Sequence, residues 1–125
     1  MLPLSDTTGA LVAGGRATRM GGIVKGLLLL DGEPIAARTL RLFRTRFADA
    51  LIVANDPGPW TALGAAIVPD AIPGKGAPGG LHAALAAART EWVFAAGCDM
   101  PFVSEAGIAL LADLRDGADA VVVRC

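Results

Sequence analysis

The chain has 125 residues, a formal net charge of −1, 54% hydrophobic and 18% charged residues, with 16 glycines, 8 prolines and no tyrosine. That length suits one domain and is too short for two. The apolar content excludes disorder, and the balanced charge excludes a basic nucleic-acid or membrane-surface binder.

Taken in chain order, Met1–Thr8 reads as a loose leader and Gly9–Ala13 as a short buried strand. A glycine-rich loop, Gly14–Gly26, follows. The run Leu27–Leu30 ends at an Asp31-Gly32 turn, and Pro34 suits the first turn of a helix. Over Ile35–Phe47, Ala36, Leu40, Phe43 and Phe47 share one face while Arg38, Arg41 and Arg44 mark another, the pattern of an amphipathic helix. Ala50–Ala54 reads as the second strand, closed by the turn residues Asn55-Asp56-Pro57-Gly58. A short helical turn is expected near Trp60–Leu63. Ala66–Val68 is a third strand, ended by Pro69-Asp70. A second glycine loop, Pro73–Gly80, feeds an alanine-rich helix over Leu81–Arg89. Trp92–Ala96 is a fourth strand, leading into Cys98-Asp99-Met100-Pro101. Ser104 caps a helix to about Leu114, and Ala118–Val123 is a fifth strand.

Mean hydropathy is high, +0.54, yet no apolar run approaches the ~20 residues that span a bilayer. The surplus is mostly alanine. Asp6 comes early with no basic region or long apolar stretch, so no signal peptide is expected. Cys98 and Cys125 provide neither metal spacing nor a disulfide framework. The expectation is a soluble cytoplasmic domain with no membrane or nucleic-acid partner. Apolar strands alternating with helices indicate an α/β fold: a three-layer, doubly wound, mostly parallel sheet of Rossmann-like type. Such sheets bind ligands at the carboxyl ends of their strands, where this chain carries Gly14-Gly15, Asn55, Asp70 and Asp99.

The first loop, Ala13-Gly-Gly-Arg-Ala-Thr-Arg-Met-Gly-Gly-Ile-Val-Lys25, offers backbone N–H groups for an anion. Arg16, Arg19 and Lys25 add positive charge, which together suits a triphosphate or pyrophosphate. It is not a Walker A loop. Nine of the eleven basic residues are arginine, so Lys25 and Lys75, both in glycine-rich segments, stand out as compact point charges. The second loop contains Gly74-Lys-Gly76-Ala-Pro-Gly79, a formal dinucleotide fingerprint, but five residues separate it from Val68, so it reads as a lid or a plain loop. Asp99 can hold Mg²⁺ together with phosphates, or cap a turn. Asp70 has the same two readings. Asn55 either meets a base or ribose, or forms an Asx-turn. Cys98 reads as a small buried hydrophobe, and His82 as a packed or solvated residue.

These segments resemble the molybdenum cofactor guanylyltransferases, within the GT-A-like nucleotidyltransferases. The resemblance rests on Val12-Ala-Gly-Gly-Arg-Ala-Thr-Arg-Met-Gly-Gly, Lys25-Gly-Leu-Leu, Gly32-Glu-Pro, Val53-Ala-Asn, Val68-Pro-Asp and Gly97-Cys-Asp-Met-Pro-Phe. It implies Mg²⁺-dependent transfer of GMP from GTP to molybdopterin-bound molybdenum cofactor, with release of pyrophosphate. Contacts with other cofactor-biosynthesis proteins or target molybdoenzymes are implied as well. By position, Val12, Ala13, Gly14 and Gly15 would meet the nucleotide, and Asn55 and Asp70 would contact GTP. Lys25 would bind phosphate with Arg19 assisting catalysis, and Asp99 would bind both nucleotide and Mg²⁺. Two departures stand out. Val24 occupies a position where the family usually has Asp, and family members continue beyond the fifth strand into an acceptor-binding part. Residues 1–125 are therefore expected to be one nucleotide-binding domain without that part. The alternatives are a nucleotidyltransferase using CTP or a sugar phosphate, and a non-catalytic GTP-binding domain.

Overall fold

The computed structural model describes residues 4–13, 19–20, 23–70 and 77–122, with the backbone alone at 19–20, 23–25 and 77–78. Strand β1 (Leu4–Val12) starts well before its apolar run, so Leu4–Thr8 is strand and not a loose leader. Thr7 and Thr8 are buried although polar, because their hydroxyls are partnered. Thr7 Oγ1 donates to Asp6 Oδ1 (2.9 Å), and the Thr8 and Thr90 hydroxyls share a hydrogen bond of 2.7 Å. β-Branched side chains with satisfied hydroxyls suit a buried pleat, which a reading for apolar runs passes over.

Two short antiparallel ladders follow. Strand β2 (Arg19–Met20) pairs with β3 (Ile23–Val24), and a 3-10 turn occupies Lys25–Leu27. Strand β4 (Leu29–Leu30) pairs with β5 (Glu33–Pro34) across the expected Asp31-Gly32 turn. Both turn residues have positive φ, 53° and 80°, which is why Asp-Gly is favoured there.

Helix α1 (Ile35–Arg46) buries Ala36, Thr39, Leu40 and Phe43. It runs directly into strand β6 (Phe47–Val53), so Phe47 is strand and not helix. The reason is local. The Phe47 backbone is extended, but its N–H still donates to the Phe43 carbonyl, and its ring stays 5.4 Å from that of Phe43. Helical periodicity therefore continues one residue beyond the helix.

A 3-10 turn (Gly58–Leu63) precedes strand β7 (Ala66–Val68). Helix α2 spans Ala77–Ala87, so Pro78, Gly79 and Gly80 belong to its first turn and not to a loop, while Arg89 lies beyond it. Proline is tolerated in a first turn. Gly80 lets the helix approach closely, since a Cβ there would sit 2.7 Å from Val12 Cγ1. Strand β8 (Trp92–Gly97) and helix α3 (Glu105–Asp113) complete the described elements. As expected, Ser104 caps α3, its hydroxyl accepting from Gly107 N at 3.1 Å. The expected fifth strand is not formed by residues 118–122. Gly117 (φ 75°) and a bond from Ala118 N to Arg115 O turn the chain, and Val122 is left 82% exposed. Residue 123 lies outside the described residues.

β7, β6, β1 and β8, in that order, form one all-parallel sheet. Alternate residues face opposite layers. Leu11, Ile52, Ala96 and Cys98 pack with α1 and with Ile108 of α3. Ala10, Leu51 and Val53 pack with Ala83 and Ala84 of α2. The doubly wound, three-layer α/β architecture is as expected. Phe43, Phe47 and Phe94 meet with centroids 5.4–5.8 Å apart. Burying one such ring contributes about 2 kcal/mol. Gly9 makes room for them: a Cβ there would lie 2.6 Å from the Phe43 ring and 2.7 Å from that of Phe47. At the other end of the sheet, Arg115 Nη1 bonds Asp6 Oδ1 (3.0 Å), and its guanidinium lies 5.3 Å from the Trp92 ring centre.

Gly9→Ala should destabilise the protein by about 2 kcal/mol through overpacking, read as a lower urea midpoint; unaltered or higher stability would contradict the packing. The bond from Arg115 holds the Asp6 carboxyl below its ordinary value. A lowered folded pKa stabilises above the unfolded value, about 3.9, and the contribution is lost as pH falls through the folded value. Arg115→Met should therefore flatten the acid limb of stability between about pH 5 and pH 2, with a small amplitude because the pair is partly exposed to solvent.

Candidate nucleotide site at the strand ends

The parallel register brings four strand ends level. Val12 pairs with both Val53 and Gly97, and Val53 pairs with Val68. One more row of bonds closes the edge: Ala13 N to Val53 O (2.8 Å), Ala54 N to Val68 O (3.0 Å) and Cys98 N to Val12 O (3.0 Å). The described residues emerging next include Asn55 and Asp99, with Pro69-Asp70 following β7. At about 4.8 Å between strands, the four ends span about 14 Å. From β1 the chain winds outward to β6 and β7, then returns to place β8 on the opposite side of β1. The winding reverses between β1 and β8, the position where open α/β sheets bind ligands.

Gly26 draws the Lys25 segment onto this edge. A Cβ at Gly26 would lie 2.8 Å from the Cys98 carbonyl oxygen and 2.9 Å from both Cys98 Cβ and Trp60 Cη2. Only a residue without a side chain allows this contact. Cys98 is fully buried beneath it. Burial, then the neighbouring Asp99 charge, pushes its thiol up to about 11. It is a neutral packing group and not a nucleophile.

Asp99 itself is exposed. A Cβ on Gly97 would lie 3.2 Å from Asp99 Oδ1, so the carboxylate folds back over the end of β8. Met100 N donates to Gly97 O, and Gly97 N donates to Met100 Sδ. On the other side of β1, Asn55 Oδ1 accepts from Asp70 N at 2.9 Å. Asn55 therefore ties the ends of β6 and β7 together, where an Asx-turn would have closed on its own loop. Asp70 is buried.

The edge thus gathers Val12, Ala13, Asn55, Asp70 and Asp99, together with the backbone of Lys25. Gly14, Gly15 and Arg16 lie outside the described residues, as do Gly74, Lys75 and Gly76; at Arg19, Val24 and Lys25 only the backbone is described. Val12 O and Ala13 N are engaged in the ladder. Sequence reasoning missed Gly26, Gly80, Trp60 and Arg38. Gly26 sits directly after Lys25, but nothing in a glycine-rich run separates a close-packed glycine from a loop glycine. Among the described residues no three His, Cys, Asp or Glu side chains cluster to hold a metal, and no helix is long and apolar enough to cross a membrane. His82 is exposed on α2. A shallow cavity of about 330 Å³ lies between α1 and the start of α3, lined by Arg38, Arg41 and Glu105. It is on the helical layer, and both arginines already bond the protein.

Comparison with known proteins agrees with this geometry. A molybdenum cofactor guanylyltransferase of Ralstonia pickettii is 37% identical over 122 residues, covering 96% of this chain and 60% of the relative. One from Yersinia pseudotuberculosis is 43% identical over 98 residues, 77% of this chain and 50% of the relative. The chain thus spans half to three fifths of the length of these curated relatives. The crystal structure of Rv0371c from Mycobacterium tuberculosis shares the fold, with a TM-score of 0.66 at 23% identity, over 88% of this chain and 60% of that one. The MobA-like NTP transferase domain matches residues 9–125, and with the level strand ends and the reversal between β1 and β8, the chain belongs to that family.

Proposed function

We propose that the chain transfers GMP from GTP to a molybdopterin-type molybdenum cofactor and releases pyrophosphate. The observation that carries this reading is the position of Asp99 at the winding reversal, one residue after the Cys98 that Gly26 packs against, in a chain similar to relatives named for that activity. In the reading, Gly14 and Gly15 surround the phosphates with backbone N–H groups, and Lys25 and Arg19 supply fixed positive charge. Asn55 and Asp70 meet the nucleoside end. The Asn55 carbonyl oxygen is committed to Asp70 N, so its amide N–H₂ is the group offered to the nucleotide.

Asp99 suits Mg²⁺. It is an exposed carboxylate with no ion pair to another described residue, and Mg²⁺ is commonly held by one or two carboxylates plus substrate phosphates. When bound there, the ion supplies charge neutralisation on the triphosphate. The remaining work falls to the chain. An acceptor phosphate oxygen forms a bond to the α-phosphorus as the bond from that phosphorus to the bridging oxygen breaks, and pyrophosphate departs with that electron pair. Lys25 and Arg19 stabilise the charge shifting onto the leaving group. The acceptor is already anionic, so the reading calls for no general base.

GTP with Mg²⁺ should raise the melting temperature more than ATP or CTP with Mg²⁺; equal shifts would exclude guanine selectivity, and a larger CTP shift would favour a cytidylyl donor. Asp99→Asn should abolish the magnesium dependence of GTP binding while changing stability by less than about 0.5 kcal/mol, as an exposed position allows. An intact magnesium response would remove Asp99 from that role. Incubation of labelled GTP with molybdenum cofactor tests the reaction itself, and binding without transfer would point to a non-catalytic GTP-binding domain.

A further inference from the structure

We propose that Arg38 is a positioning residue that holds the Asp99 loop in register with the Lys25 segment; the proposal rests on the reading of Asp99 as the carboxylate that meets the metal–nucleotide complex. Between its two core contacts, Cys98 and Val103, the loop from β8 to α3 is poorly buried. Asp99 is exposed, Met100 is half-exposed, and Phe102 is 88% exposed. Segments with so few apolar contacts open readily unless polar ties hold them. Within the loop the ties are modest: Met100 N to Gly97 O at 3.3 Å, and Gly97 N to the weak acceptor Met100 Sδ at 3.2 Å.

From outside the loop, Arg38 Nη1 donates to two of its carbonyls, Pro101 O at 2.9 Å and Val103 O at 3.1 Å. A charged donor to a carbonyl makes a stronger bond than a neutral one, and two of them bracket the exposed Phe102. The other α1 arginines are engaged elsewhere. Arg41 pairs with Glu33, Arg44 donates to Leu63 O, and Arg46 pairs with Glu105. Arg38 differs in reaching the segment that carries Asp99.

The same helical turn also grips the Lys25 segment. Ile35 N, at the start of α1, donates to Leu28 O at 3.1 Å, just past the Lys25–Leu27 turn. Gly26 in that turn packs against Cys98, immediately before Asp99. One turn of α1 therefore fastens two segments distant in sequence: Leu28 through the Ile35 backbone, and Pro101–Val103 through the Arg38 side chain. Releasing the second tie leaves the Lys25 segment in place and lets Asp99 drift from it.

The test compares the 125-residue chain with Arg38→Met, Arg38→Lys, Asp99→Asn and, as a control that removes a remote arginine–carbonyl bond, Arg44→Met. Two quantities are read: amide hydrogen exchange over residues 98–104, and the magnesium concentration that half-saturates its effect on GTP binding by calorimetry. Arg38→Met should speed exchange in the loop and raise the half-saturating magnesium concentration about tenfold, the lower range for losing a partner that orients a metal-facing carboxylate. GTP binding without magnesium should be unchanged. Arg38→Lys retains the charge but not the guanidinium geometry and should raise the half-saturating magnesium concentration about threefold, an intermediate shift that remains readable if the methionine variant does not fold. Loop exchange and magnesium response matching the parent, or shifted no more than in Arg44→Met, would overturn the proposal. If Arg38→Met loosens the loop but Asp99→Asn leaves the magnesium response intact, the assignment of Asp99 to the metal fails, and the functional part of the Arg38 proposal fails with it.

Discussion

The site depends on the pairing of one central strand with two neighbours at the same height. Val12 is opposite Val53 on one side and Gly97 on the other, so β1, β6 and β8 end together. Because side chains alternate along a strand, a slip of one residue would exchange the two faces of β1. Leu11 would then meet α2, and Ala10 would meet the aromatic cluster. The apolar pattern of the core and the level edge of the site are thus one constraint. Gly9 shows how tightly it is imposed, since Phe43 and Phe47 occupy the volume a side chain would need.

Packing against glycine recurs wherever a loop or helix must come close. Gly80 brings the first turn of α2 onto Val12, and Gly26 brings the Lys25 turn onto Cys98. Both contacts converge on the β1–β8 end of the sheet. The buried, protonated Cys98 contributes volume and no charge there. Asp99, one residue later, is exposed. A neutral floor beneath an exposed carboxylate keeps the charge at the surface, where solvent and a ligand can reach it.

The alternation of apolar strands with helices, the Asp31-Gly32 turn, the Ser104 cap and the strand-end positions of Asn55, Asp70 and Asp99 could all be read from local signals. What could not be read depends on partners distant in the chain. Thr7 and Thr8 look like leader residues until Asp6 and Thr90 satisfy their hydroxyls. Phe47 keeps the helical spacing although its backbone is extended. Ala118–Val123 has strand composition, but residues 118–122 find no ladder, because composition does not supply a neighbour. Arg38 lies on the same stripe as Arg41 and Arg44, and only the returning loop after β8 separates it from them. Positions along the chain were therefore more legible than the packing between distant segments.

The placement of the two tryptophans has an optical consequence. Trp60 is buried against Gly26 at the carboxyl end of the sheet, and Trp92 opens β8 at the amino end beneath Arg115. With no tyrosine in the chain, ultraviolet emission excited above the phenylalanine band arises from these two indoles alone. Replacing Trp92 by phenylalanine would leave a single native fluorophore against the Lys25 turn. Nucleotide-induced rearrangement of that turn would then register as a change in Trp60 emission without any introduced label.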